Sequence, residues 1–195
     1  QNNGFGGTTT STNATRARLN GGAASNPLGY AYNDGDGSTA FDVEMPLQIT
    51  GFDREFHEKH IAVQPLPFST LHESYPLFNG RGYPDTINTQ SLTNSVGKVA
   101  QRTHSLINAK VGQRILLRIS SVSDSDFHSI SVAGIPMRII AKDARLLRRT
   151  GSTENLSYQT TSVTLGGGET TDAILDTTGL KPGTYVIYST RLNFL

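Results

Sequence analysis

INAKVGQRILLRISSVSDSDFHSISVAGIPMRIIAKDARLL, Ile107 to Leu147, decides the fold. Ile115, Leu117 and Ile119 alternate with Leu116, Arg118 and Ser120, the period-two pattern of a half-buried strand. The polar run Ser121–Asp126 makes a turn. Beyond it Phe127, Ser129, Ser131 and Ala133 alternate with His128, Ile130 and Val132, and Gly134 ends this second strand. Pro136 opens the apolar run Met137–Ala141, long enough for a third. Three short strands joined by tight turns predict an antiparallel sandwich or barrel, with an opposing sheet supplied by the rest of the chain.

Outside this stretch the strand signals continue. FDVEMPLQITGFD, from Phe41, reads as a strand ending at Gly51, with Pro46 at an edge or a bulge. Toward the C-terminus Val163 and Leu165 form a short strand, Gly166–Gly168 breaks it, and Ala173–Leu175 forms the next. LKPG at Leu180–Gly183 turns the chain into a last strand in which Tyr185 and Ile187 alternate with Val186 and Tyr188. Pro65, Pro67 and Pro76 exclude a long helix in the irregular stretch between, although Asp53–Ala62 can make a short helical turn. No heptads, repeats or long amphipathic helix appear. Residues 1–40 are rich in Gly, Asn, Ser and Thr and read as a linker or extended arm, so the folded unit is placed at 41–195.

The composition narrows the chemistry. A chain of 195 residues can bury roughly 70% of its unfolded surface and needs no staple. It has no cysteine, which removes disulfides, thiolate metal sites and cysteine nucleophiles. Seventeen basic and sixteen acidic residues leave a net charge of +1, so the bulk field points to neither nucleic acid nor membrane. No apolar run approaches the roughly 20 residues of a membrane span.

Local motifs favour structural readings. NDGDGS at Asn33–Ser38 resembles a calcium loop, but a loop begun at Asp34 places Met45 where a bidentate Glu is needed, so a Gly/Asp turn is expected. His57 and His60 could share a helix face, yet HEKH lacks the spacing of a zinc protease motif. His72 and His104 are isolated. NGRGYPD at Asn79–Asp85 is read as a tight loop rather than an anion site, and Thr86–Gln101 as a polar surface loop. Arg145, Arg148 and Arg149 read as a solvated rim or as facing a neighbouring domain. Arg138, Lys142 and Asp143 read as sheet-face or interdomain contacts. Glu169, Asp172 and Asp176 fall in turns with no paired-carboxylate arrangement, and no nucleophile–base pair supports a hydrolase.

FNGRGYP, VGQRILLRIS, FHSISVAGIPMRIIAKDARLL, TTSVTLGGGETTDAI and KPGTYVIYST follow one another in an order that resembles the second, plastocyanin-like (cupredoxin) domain of three-domain, laccase-like multicopper oxidases. The resemblance covers roughly 41–195 and implies an all-β, Greek-key β-sandwich, cupredoxin-like, with a long irregular N-terminal arm. It also shows departures. The His-Pro-x-His-x-His-Gly segment of the family's copper-binding domains, laid on Gly134, falls on His128, Ser131 and Ala133. The His-Cys-His strand falls on Tyr188, Ser189 and Thr190, with Phe194 at a further His position. A blue-copper centre needs two imidazoles and a thiolate. His128 is the only retained ligand-type residue and is read as structural.

No catalytic, cofactor-binding or metal residues are therefore expected in this segment; copper would lie in the parent enzyme's other domains. The resemblance implies a parent that oxidises phenols or metal ions and reduces dioxygen to water, with this segment as a non-copper spacer. Its partners would be flanking cupredoxin domains or neighbouring subunits, and its location secreted or periplasmic. The alternative is a free-standing cupredoxin-like structural or assembly subunit of an extracellular polymer. Asn13–Thr15 and Asn155–Ser157 are glycosylation sequons, relevant only in a eukaryotic secretory pathway.

Overall fold

The structure is a computed structural model describing residues 29–34, 36–149 and 151–190. The larger part of the proposed arm, the sequon at Asn13 and the position of Phe194 lie outside the described residues. Fourteen strands, one α-helix and two 3-10 turns (Phe68–Thr70 and Asp85–Ile87) are present among those described: β1 (Gly29–Tyr30), β2 (Ala40–Phe41), β3 (Val43–Phe52), α1 (Arg54–Ile61), β4 (Tyr75–Phe78), β5 (Leu92–Thr93), β6 (Val99–Ala100), β7 (Arg114–Ser121), β8 (His128–Val132), β9 (Met137–Lys142), β10 (Arg145–Leu146), β11 (Tyr158–Thr160), β12 (Ser162–Leu165), β13 (Thr170–Asp176) and β14 (Ile187–Ser189).

Two sheets form a sandwich. The larger runs β10–β9–β13–β7–β3–β4, with β11 also on β9; the smaller runs β12–β8–β14. The three strands of the deciding stretch therefore do not form a simple meander. The chain leaves the large sheet after β7, crosses to the small one for β8, and returns for β9 beside β13. Alternation then acts on both layers. Ile115, Leu117 and Ile119 of β7 meet Ile130 and Val132 of β8, Met137 and Ile139 of β9, Val163 and Leu165 of β12, and Ala173 and Leu175 of β13 in the main core.

The opposite face of β7 is not the solvent face that its pattern predicts at Leu116. Leu116 is fully buried with Ile140, Ala141 and Ile174 under Ala31 and Phe41. The cover is the β1–β2 hairpin, of which all but Phe41 falls in the stretch read as arm; Ala31 of that stretch thus packs on the folded unit. Its turn is the expected Gly/Asp turn. Asp34 accepts from the backbone N–H groups of Asp36, Gly37 and Thr39 and from the Thr39 hydroxyl.

Pro46 takes the edge position that its missing N–H requires. β3 lies parallel to β7 along Val43–Ile49, but β4 covers only Ile49–Phe52, which leaves Pro46 on the open flank. Asn79 closes that flank: its Oδ1 accepts from Gln48 N at 2.9 Å and its Nδ2 donates to Pro46 O at 3.1 Å. α1 is the expected short helical segment, capped where Asp53 Oδ1 accepts from Phe56 N at 3.0 Å. Within the predicted polar loop, β5 and β6 form a small hairpin around Asn94.

Candidate functional site

The strand pair β8–β14 carries the segments onto which the resemblance lays the family's ligand motifs. Two segments more than fifty residues apart in sequence come into register: Ser131 faces Tyr188 directly, Val132 faces Ile187 and Ile130 faces Ser189. Thr190 N donates to Ser129 O at 2.8 Å and extends the pairing. Alternation sorts the side chains. Ile130, Val132 and Ile187 point into the main core, so Ser131 and Tyr188 lie on the outer face. His128 shares the inward side with Ile130, opposite Leu165 of β12, and is fully buried.

The outer face is a hydroxyl array. Ser131 Oγ donates to Thr161 O at 2.5 Å, and the hydroxyls of Ser129 and Thr164 lie 2.6 Å apart. At the ligand-type positions the chain thus offers serine, alanine, tyrosine, serine and threonine, with one imidazole directed to the other side of the strand. Among the described residues no group of three or more His, Cys, Asp or Glu side chains is placed to hold a metal ion. His57 and His60 lie on exposed turns of α1, and His72 and His104 lie in separate loops.

A charged cluster missed in the sequence reading sits on the outer face of the large sheet. Asp172, expected in a turn, is within β13, because the strand runs on through Thr170 and puts Ala173 and Leu175 inward. Arg118 bridges it to Glu44: Nε–Oε1 is 2.5 Å and Nη1–Oδ2 is 2.7 Å. Tyr32 of the hairpin donates its O–H to Asp172 Oδ2 at 2.6 Å and lies 5.8 Å under the guanidinium. The cross-strand register Asp172↔Arg118, with Glu44 beside Leu116 on β3, creates this group, and no single stretch of sequence contains it.

The rim arginines divide. Arg148 is drawn in by Asp36 Oδ1 at 2.7 Å and Ser38 Oγ at 2.9 Å, and Arg138 donates to Ser38 O at 2.6 Å. Both tie the hairpin down. Arg149 remains an exposed ion pair with Glu154. Arg148 holds the Asp36 carboxyl well below the usual carboxylate range.

Burial, the hydrogen bond to Asp172 and that carboxylate's charge push the Tyr32 phenol far above the tyrosine norm. A raised acid pKa favours the protonated form in the folded state. The stabilisation is therefore complete below the ordinary tyrosine range near 10 and is lost as pH rises beyond it. Ultraviolet difference titration should show one of the described tyrosines ionising last. Asp172→Asn should bring it down toward the others, whereas an unchanged titration would exclude Tyr32 as that group.

A depression of about 530 Å³ at one end of the sandwich is lined by Val122–Phe127, Gly167 and Gly168. It is an open depression, not an enclosed cavity. A Cβ at Gly167 would collide with the Ser123 carbonyl, and the buried Glu73 accepts from the Ser123 hydroxyl and from Asp124 N at 2.7 Å. These groups brace two loops against each other.

The model of the multicopper oxidase family matches residues 57–194. The chain belongs to the multicopper oxidase family. This multicopper oxidase chain superposes on the multicopper oxidase mgLAC with a TM-score of 0.55 at 16% identity, over 77% of this chain and 38% of that one. The blue copper oxidase from Nitrosomonas europaea gives 0.54 at 19%, over 77% and 37%. The copper nitrite reductase from Nitrosomonas europaea gives 0.54 at 15%, over 83% and 48%. At these identities the likeness shows the shared cupredoxin fold. The multicopper oxidase chain spans less than half the length of each of these structures. No curated protein matches its sequence.

Proposed function

We propose that this chain is the middle, non-copper-binding cupredoxin domain of a laccase-like multicopper oxidase. In that role it sets the spacing of flanking domains that hold the copper and carry out oxidation of phenols or metal ions with reduction of dioxygen to water. The observation that carries the proposal is the β8–β14 pair, where the two ligand-bearing segments meet in register but present Ser131, Tyr188, Ser189 and Thr190. This donor set does not fit a copper ion. Hydroxyls and a phenol are poor ligands for a centre built on imidazole and thiolate, and the one imidazole, His128, is turned inward with Ile130. His128 is read as a structural residue of the small sheet.

Family membership favours a secreted or periplasmic setting, and among the described residues no helix is long and apolar enough to cross a membrane. The purified chain, incubated with copper and then dialysed, is expected to retain less than about one-tenth of an equivalent by elemental analysis. Stoichiometric copper with a blue or near-ultraviolet charge-transfer band would overturn the proposal.

A further inference from the structure

We propose that the β1–β2 hairpin is a strap that opens as one unit and, when closed, moors the polypeptide N-terminal to Gly29 on the outer face of the large sheet. The inference rests on the reading of the chain as a spacer, for it names the element that fixes the direction in which a preceding domain leaves. The hairpin is a sheet of its own: its strands have two residues each, and neither belongs to a sheet of the sandwich. A hairpin of that size is marginal in water by itself. To the apolar layer beneath it contributes Ala31 and Phe41, with Tyr32 partly buried against them. Apolar cover holds without setting a direction.

Direction comes from three polar clips. Tyr32 reaches Asp172 of β13, Ser38 O accepts from Arg138 of β9, and Asp36 and Ser38 Oγ hold Arg148, just beyond β10. β13, β9 and β10 lie side by side, so the anchors are spread across the sheet rather than gathered at one point. They also grip the hairpin before, within and after its turn. Hydrogen bonds to ionised groups enforce geometry as well as attraction.

The hairpin is stiff inside. Ala31 N donates to Thr39 O at 3.0 Å and Tyr32 N to Thr39 Oγ1 at 3.2 Å, while Asp34 gathers the N–H groups of Gly37 and Thr39 at 2.8 and 2.6 Å. Its base is fastened apart from the clips. Asp42 N donates to Arg114 O and Arg114 N to Asp42 Oδ2, both at 2.8 Å. A body stiff within, hinged at Asp42 and clipped at its far end, swings open with its clips released together.

Native-state hydrogen exchange on this chain tests the strap. The amides of Ala31, Gly37 and Thr39 should exchange through one shared opening, with less than about half the urea dependence of amides in β7, β8 and β13, because less surface is exposed. Tyr32→Phe combined with Arg148→Met should speed those three amides at least about tenfold, and Arg148→Met alone should give an intermediate increase. A urea dependence equal to that of β7, or exchange unmoved by the double variant, overturns the strap. In the full-length oxidase, spin labels on this domain and on the preceding one should give a distance distribution at least about one and a half times wider in the double variant. An unchanged width overturns the mooring and leaves the spacer reading intact. A native product with no domain before this one defeats the spacer reading and the mooring with it, while the exchange result still decides the strap.

Discussion

Replacing Arg81 with Met is expected to lower the unfolding free energy by about 3 kcal/mol, with Arg81→Lys losing nearly as much. Arg81 is 1% exposed, and among the described residues no carboxylate forms a salt bridge with it. Its guanidinium instead donates to backbone carbonyls: Nε to Gln101 O at 3.0 Å, Nη1 to Asp85 O at 3.0 Å and Asn88 O at 2.5 Å, Nη2 to Gln90 O at 2.9 Å and also to Gln101 O. One side chain thereby serves as the centre of the stretch from Gly80 to Gln101, and Gln101 returns a bond to Gly80 O at 2.6 Å. Methionine keeps much of the volume but removes the guanidinium donor from all four carbonyls, of which Asp85 O still accepts from Asn88 N at 3.2 Å, and a lysine reaches fewer of them. The check is urea unfolding: a lower midpoint with an unchanged slope reports lost stability. A loss under about 1 kcal/mol would mean that the loop orders itself without the arginine.

Leu117→Ala should cost about 4 kcal/mol, and Leu116→Ala somewhat less, about 3 kcal/mol. The two leucines are adjacent and equally buried, yet they serve different layers. Leu117 sits in the main core between the sheets, where neighbours on five strands cannot all close a cavity. Leu116 lies under the β1–β2 hairpin, a lighter cover that can settle into the space. Hydrogen exchange separates the cases. Leu117→Ala should quicken exchange throughout β7, β8 and β13, whereas Leu116→Ala should quicken it first at residues 29–41. Indistinguishable patterns would show that the hairpin and the sandwich unfold as one unit.

These two sites show what the sequence discloses. The period-two run Ile115–Ser120 locates β7 and its inward face, because a strand's alternation is written locally. It does not disclose that Leu116 is also covered, since the cover comes from Ala31, in a segment with few apolar residues, and from Phe41, both more than seventy residues away. Pro46 and Asp34 were legible for the same local reason: each acts on its own backbone or that of near neighbours. Arg81 was not, because its role lies in carbonyls up to twenty residues on. The Arg118–Asp172–Tyr32 group depends on strand register and is invisible until β7, β13 and the hairpin are assembled. The family's ligand positions could be laid on the chain by resemblance, but their meeting across β8 and β14 is a matter of pairing alone.

The parallel union of β3 with β7 is the single same-direction pairing among the described strands, and it joins Val43 to Ile115. About seventy intervening residues must be gathered before that seam can zip, an entropy debt on the order of 4 kcal/mol. β7, β9 and β13 are nearer one another along the chain and can assemble without it. A refolding experiment should thus see the Arg114–Asp176 portion acquire protection early, with β3 sewn on afterward as the last long seam of the sheet.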